Sequence, residues 1–556
     1  MLVPFDIIPS ASPVFVLATS VGLLGGSIIL IVFFFFTVTA LKAHREQSIL
    51  PKGLPFLGKK NEFLASIRAN ARGASDSFRL FTEAYEKYST KGLVSVVPTW
   101  TKGPQVLVPT ALINWLAHEP EHVMNARDCT FEDMQFAYTT AHPEIMNNDM
   151  LDLMIKRELT RHVGNLNDKI VNEVSLAMGE MFGTGDLSES GQGEWREVGI
   201  WDSSMRLVVK AANSVFVGSD LCRNEEYTQA CMSWVWDVAT SSAVMHMFPK
   251  FLKPHVSKLV TYKNRRDARV SIKHTLPLVE ERIANMTRAQ NDKSFEYEAP
   301  NDLITWMVKE SFKRTSESET SAYSLAYRIL LLNFAAVITS TIASANFILD
   351  IMSTDPSENV VELLREEAER VYREHDGVWS KAAVAKLVRL DSALRESGRY
   401  SCVGGSAITR RVWTDDGVVL PIDGKEGEGS GLWVPKGATV GVAQHQIHFD
   451  EKYYGPTVAK FDPFRFSRPK EQGISTTNED MVTTSTHYLT FSHGVHACPG
   501  RFFAANELKL IMVNILLNYE IQSMPTRPPN EALGDVKIPS RKRTMMIRKR
   551  ARVMDV

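Results

Sequence analysis

The chain has 556 residues, enough to bury one large core or several ordinary ones. With 44% hydrophobic and 23% charged residues it is not globally disordered, and a formal net charge of -1 offers no basic field for nucleic acid. Five cysteines (Cys129, Cys222, Cys231, Cys402 and Cys498) are few and unpatterned, which excludes a disulfide framework and suits a reducing compartment.

In chain order, the first feature is a stretch without charge from Ile7 to Leu41, containing an unbroken apolar run from Ile28 to Phe36. About 20 apolar residues cross a bilayer as a helix, whereas a cleaved signal peptide has a shorter apolar region ending at a small-residue site. Lys42, His44 and Arg45 follow and favour a cytoplasmic position for what comes next. Residues 1–45 are therefore expected to be a membrane anchor with one N-terminal transmembrane helix in contact with lipid. Residues 46–60, with Pro51, Gly53, Pro55 and Gly58, read as a stiff linker. Residues 61–556 show no further linker and no repeat, and read as one mainly α domain with a small β portion.

Within that domain, Asp76 to Asn291 is expected to be helices joined by loops, with an amphipathic helix over Ile155–Met181. Met245–Pro254 is a proline-broken apolar loop suited either to a membrane surface, to covering a pocket or to ordinary packing. Asn285-Met-Thr287 is a glycosylation acceptor that stays unmodified in a cytosolic domain. Ser324–Met352 reads as a long apolar helix. It lacks a polar face, as a helix buried through the middle of a large domain does. Helices follow over Val360–Glu374 and Lys381–Gly398. A β-hairpin is then expected from Arg411 to Leu420, turning at Asp416-Gly417, and an exposed glycine-rich loop over Asp423–Gly431. An irregular aromatic stretch, Tyr453–Phe466, leads to the run Phe491-Ser-His-Gly-Val-His-Ala-Cys498-Pro-Gly500 and a last helix, Phe502–Asn518.

Cys498 admits three readings from its neighbours alone. A buried free thiol is the commonest fate of a cysteine. Zinc bound by His493, His496 and Cys498 lacks an obvious fourth ligand and any paired-cysteine spacing. A thiolate ligand to heme iron needs a tight loop with backbone N–H groups turned to sulfur. Gly494, Pro499 and Gly500 suit such a loop, the following helix would bring its positive N-terminus to the sulfur, and Phe491 could shield it from water.

The spacing Phe491-x-x-Gly494-x-His496-x-Cys498-x-Gly500 resembles the cysteine-loop signature of the cytochrome P450 family, in which His commonly replaces Arg at the His496 position in fungal members. Three more segments match in order. Glu396-x-x-Arg399 resembles the family's ExxR pair, and Phe461-Asp-Pro-Phe-Arg465-Phe466 resembles the segment that supplies its second arginine. Ala335-Ala336-Val-Ile-Thr339-Ser340 resembles the small-residue pair and threonine of the family's central helix, with Ile338 where many members carry an acid. The resemblance implies a single large helical domain holding heme b with Cys498 as axial thiolate. It also implies propionate contacts from His496, Arg411 and Lys156 or Arg157, and proton handling at Thr339 and Ser340. Glu396, Arg399 and Arg465 would form a buried bracing network. Its implied partners are dioxygen, an NADPH-dependent reductase and a lipophilic small molecule. Its implied setting is the endoplasmic reticulum membrane, crossed once, with the domain in the cytosol. The wording around Cys498 resembles fungal secondary-metabolism members, which suggests a terpenoid or other lipophilic metabolite as substrate. The same fold also serves desaturation, rearrangement and dehydration, and a non-catalytic heme sensor is a further reading. Pocket walls are expected from Leu332–Thr339, Phe131–His142 and Met245–Phe251.

Overall fold

The computed structural model describes residues 37–183, 193–422, 431–474 and 479–550. The chain is mainly helical, and its axis is the helix Ala322–Met352, whose residues are buried along nearly the whole length. Ser321 caps it by accepting the Ser324 N–H. The helices Ile200–Phe216, Glu225–Met245 and Tyr262–Asn291 pack around it, and Arg501–Asn518 lies against its C-terminal half. Together they enclose one large apolar core that includes Trp201, Trp234, Leu330, Phe347 and Ile511.

A second, smaller core lies under a five-stranded sheet. Its strands are β1 (Ser95–Thr99), β2 (Gly103–Leu107), β3 (Met124–Asn125), β4 (Ala407–Val412) and β5 (Thr439–Val442), in the order β1-β2-β5-β4-β3. Only the β2–β5 pairing is parallel.

The expected N-terminal transmembrane helix is corrected. Among the described residues, the one helix long and apolar enough to cross a membrane is internal, Ala322–Met352, with a mean hydropathy of 1.6 and 72% of its most apolar window buried. Apolar length alone selects a bilayer span and a core helix equally, and here the helix that passes the test is the centre of the domain. Most of the stretch read as a span, residues 1–36, lies outside the described residues. Its end, from Thr37, is part of a helix over 37–48 that carries a Lys42–Glu46 ion pair.

The hairpin expected at Asp416-Gly417 is also different. Gly417 does turn the chain, with φ +72°. The strands on either side find other partners: β4 pairs with β5 and β3, and Val418–Leu420 pairs with Leu432–Val434. Local turn chemistry marked the bend, and tertiary pairing chose the strands. Nearly all of the expected loop Asp423–Gly431 falls outside the described residues. The expected helix over Ile155–Met181 is broken into a π-helical turn at Met154–Leu159, a 3-10 turn at Val163–Leu166 and a regular helix at Asn167–Phe182. Lys381–Gly398 is likewise two helices, Lys381–Ala385 and Val388–Tyr400. Val360–Glu374 is a single helix with the expected ends.

Candidate active site around Cys498

The Cys498 loop is held on three sides. Gly494, at φ +77°, lets the chain turn where a side chain is strained, and a Cβ there would stand 2.5 Å from the carbonyl oxygen of Ala117. The loop thus lies directly on the backbone of the short helix Ile113–His118. The Cys498 N–H donates to the carbonyl of Phe491 at 2.8 Å, closing the loop. After Gly500 the helix Arg501–Asn518 begins, and the N–H groups of Gly500 and Arg501 turn toward the sulfur. Burial pushes the thiol pKa up, while those two N–H groups and the Arg501 charge pull it down. A Cβ on Gly500 would meet Ile155 Cγ2 at 3.8 Å and the sulfur at 4.0 Å, so ordinary packing alone does not demand glycine there. No group of three metal-ligating side chains occurs among the described residues, so the zinc reading gains no support.

The bracing network is assembled. Glu396 and Arg399 are completely buried and joined by two hydrogen bonds of 2.8 Å. Arg465 Nε lies 3.2 Å from both Glu396 oxygens, and the Asp462 N–H donates to the same carboxylate at 3.0 Å. Every arginine donor that leaves the carboxylate finds a carbonyl or hydroxyl: Arg399 reaches the carbonyl of His448, and Arg465 those of Tyr454, Thr457 and Lys460. A buried carboxylate and two guanidiniums are tolerated because the set satisfies itself.

Sequence reasoning missed how this network touches the cysteine loop. His448 offers its backbone carbonyl to Arg399 and, through ring Nε2, accepts the N–H of Leu489 at 2.9 Å. Burial and the nearby Arg399 charge hold this imidazole down to about 3, so it stays neutral and able to accept. Gly398, between the two network residues, has its carbonyl bonded by Thr490 Oγ1 at 3.0 Å, and a Cβ there would stand 2.9 Å from Tyr488 Oη. Residues 488–490 run directly into Phe491, so the helix Val388–Tyr400 grips the start of the cysteine loop. The sequence signal available was the glycine inside Glu396-x-Gly-Arg399.

Arg411 lies on β4, as the sequence suggested, but its guanidinium pairs with Glu132 at 2.9 Å and approaches Asp128 at 3.6 Å. Its neighbour Arg410 is the buried one: Nη1 donates to the Thr409 carbonyl, and Nε and Nη2 have no partner among the described residues. Strand alternation explains the exchange, since adjacent residues face opposite sides. His496 sits near Arg410 and Lys156. Its burial, followed by the Arg410 charge, holds its imidazole below the ordinary range. Glu121, 3.8 Å from His496 Nδ1, and Asp152 also face this imidazole, while the two unmet donors of Arg410 are free to hold a carboxylate of an anionic prosthetic group.

On the central helix, Ala335 and Thr339 are exposed and Phe334, Ala336 and Ile338 half-buried, although Val337 and Ser340 are buried, giving the helix a bare face inside the fold. Thr339 Oγ1 donates to the Ala335 carbonyl at 2.8 Å, which leaves its lone pairs to accept from a pocket water. Ser340 is buried on the neighbouring face. The three expected wall segments meet: Phe136 packs edge-on against Phe334 at 5.6 Å, and His246 Nε2 lies 3.0 Å from the Asp133 carbonyl; just beyond the third segment, Lys253 Nζ donates to Gln135 Oε1 at 2.5 Å.

Comparison with known proteins identifies the family. The family model described as Cytochrome P450 matches residues 152–547. The chain belongs to the cytochrome P450 family. It is 30% identical to the cytochrome P450 monooxygenase polB of Polytolypa hystricis, over 90% of this chain and 94% of that one. It is 31% identical to cytochrome P450 monooxygenase 151 of Postia placenta, over 92% of this chain and 97% of that one. The fold matches that of the retinoic-acid-bound cyanobacterial CYP120A1 with a TM-score of 0.58 at 16% identity, covering 86% of this chain and 96% of that one. The protein is thus a cytochrome P450 enzyme, a heme-thiolate monooxygenase related to fungal secondary-metabolite members. It acts on a lipophilic small molecule with dioxygen and electrons derived from NADPH, and family membership implies heme b and a reductase partner.

Proposed function

We propose that Cys498 is the axial thiolate of the heme, in a catalytic domain spanning residues 61–556 that inserts one oxygen atom of O2 into a terpenoid or similar lipophilic secondary metabolite. The observation that carries this reading is the Cys498 loop itself, with its sulfur at the N-terminus of a helix and gripped by the Glu396–Arg399–Arg465 network. Bound heme supplies dioxygen activation, and a thiolate ligand favours O–O cleavage.

The chain's own residues do the rest. The N–H groups of Gly500 and Arg501 stabilise negative charge on sulfur. Phe491 accepts the Cys498 N–H through its carbonyl, and Gly494 fixes the loop's turn. Arg410, His496 and Lys156 hold the propionates, with Arg411 bracing the adjacent loop through Glu132. Thr339 accepts a hydrogen bond from water on the bare face of the central helix and positions it for proton delivery. Phe136, Phe334 and the segment after Met245 form apolar walls that exclude bulk water and favour a lipophilic substrate. Desaturation or rearrangement on the same site differs only in the fate of the substrate radical or cation.

We place the enzyme at the endoplasmic reticulum membrane with its domain in the cytosol. The five cysteines, all unpaired, suit a reducing compartment. The test is expression with a reductase in microsomes and product analysis on candidate lipophilic scaffolds. NADPH- and O2-dependent hydroxylation is expected, with Thr339→Ala diverting NADPH electrons to peroxide; full coupling in Thr339→Ala would remove Thr339 from the reading.

A further inference from the structure

Lys210, Lys253 and Lys509 are the buried lysines among the described residues. Two of them sit on an acid: Lys210 lies 3.2 Å from Glu225, and Lys509 2.6 Å from Asp391. Lys253 has no carboxylate within ion-pair distance among the described residues. Its Nζ donates instead to the neutral Gln135 Oε1 at 2.5 Å and lies 5.8 Å from the centre of the Tyr138 ring. That hydrogen bond uses one of the three donors of an ammonium. The charged groups around it are Lys42, Glu132, Lys250 and Glu46. Both acids are committed elsewhere, Glu132 to Arg411 at 2.9 Å and Glu46 to Lys42 at 3.7 Å. Burial first, and then the Lys42 charge, pull the Lys253 ammonium down to about 8. At pH 7 it is still mostly charged, and it lacks the partner that makes a buried charge tolerable.

The position of Lys253 indicates what the partner is. It opens the short helix Lys253–Val260, just beyond the wall segment that ends at Phe251. Gln135 is itself fixed, its Nε2 donating to the Glu132 carbonyl at 2.5 Å. It immediately precedes Phe136, whose ring meets Phe334 on the bare face of the central helix. From Phe334 the helix rises about 7.5 Å to Thr339. Lys253 thus stands at the outer end of an apolar path that leads to Thr339.

We propose that Lys253 holds the carboxylate of the substrate, which makes the substrate a lipophilic acid oxidised at a carbon remote from its carboxyl group. This rests on the reading of Cys498 and Thr339 above and supplies the polar end of the molecule. The carboxylate accepts from the two Lys253 donors that Gln135 leaves unused. One ammonium calls for one negative charge, which a carboxylate carries at pH 7 and a phosphate monoester exceeds. Lys253 touches substrate and sets specificity; Gln135 acts through it and is a positioning residue.

The test uses the heme-loaded full chain in vesicles of a zwitterionic phospholipid, so that lipid charge contributes nothing. The probes are farnesoic acid, its methyl ester and farnesol, and the readout is the Soret shift on binding. The acid is expected to bind at least ~10-fold tighter than the ester or the alcohol, the factor for a charge-assisted hydrogen bond. Lys253→Met keeps the apolar stem and removes the charge, so it should lose that preference with ester binding unchanged. Gln135→Glu gives Lys253 an internal carboxylate and should lose the preference as well. An acid that binds no tighter than its ester in wild type overturns the proposal, as does a preference that survives in Lys253→Met or Gln135→Glu. A wild type with the thiolate-type CO spectrum but no Soret shift from the acid overturns it too. A wild type without that CO spectrum overturns the reading of Cys498 instead.

Discussion

Glu396→Gln keeps the shape of the network and removes its single negative charge. In the native protein the carboxylate accepts from Arg399 Nε and Nη2, from Arg465 Nε and from the Asp462 N–H. A glutamine offers one acceptor oxygen, and its NH2 group must face a guanidinium donor. Arg399 is fully buried and Arg465 nearly so, with 11% of its side chain exposed. Breaking a buried ion pair by removing one partner costs about 3–5 kcal/mol. The surviving bonds of Arg399 to His448 and of Arg465 to Tyr454, Thr457 and Lys460 place this case near ~3 kcal/mol, roughly a hundredfold in the folding equilibrium. The assay is urea unfolding of the purified protein, with heme release to an apoprotein acceptor followed in parallel. Release should accelerate, because His448 and Gly398 carry the network's rigidity to residues 488–490 of the cysteine loop. A loss below ~0.5 kcal/mol with unchanged heme release would refute the view that this network braces the loop.

Gly398→Ala should lose ~1–3 kcal/mol by overpacking, because its Cβ would press on Tyr488 Oη and on Thr490 at 3.0 Å; thermal unfolding and heme content check it. Glu507, on the helix Arg501–Asn518, is completely buried with neither oxygen partnered among the described residues, and burial pushes its carboxyl up to about 8. The folded chain keeps a proton up to about pH 8 that the unfolded chain loses near 4.5, so stability falls as pH rises between these values and levels off above them. The upper limit is on the order of 5 kcal/mol, at ~1.4 kcal/mol for each tenfold difference in acidity. Glu507→Gln should lack that slope in urea titrations from about pH 5 to 9, and an identical slope in both proteins would refute the buried neutral acid.

The residues proposed to carry the chemistry could be singled out in the sequence because their spacing is constrained locally. A turn at Gly494, a thiol at Cys498 and an i, i+3 pair at Glu396 and Arg399 are set by a few consecutive residues. The central helix was legible from its apolar length. Contacts that depend on which way a strand faces were less accessible: Arg410 and Arg411 are indistinguishable in sequence, and β-sheet register decides which one is buried. The hairpin at Gly417 failed for a related reason, since strand partners come from distant segments. The bridging role of His448 and the unmet carboxyl of Glu507 left no local signature, because each exists only where helices remote in sequence meet.

The central claim is that Cys498 is the thiolate that holds heme iron. The most direct measurement is the CO difference spectrum of the reduced, heme-loaded protein beside Cys498→Ser, with heme content determined in both. Wild type should show the thiolate-type Soret band and the variant should lack it even where it retains heme. An unchanged thiolate-type band in Cys498→Ser would contradict the assignment.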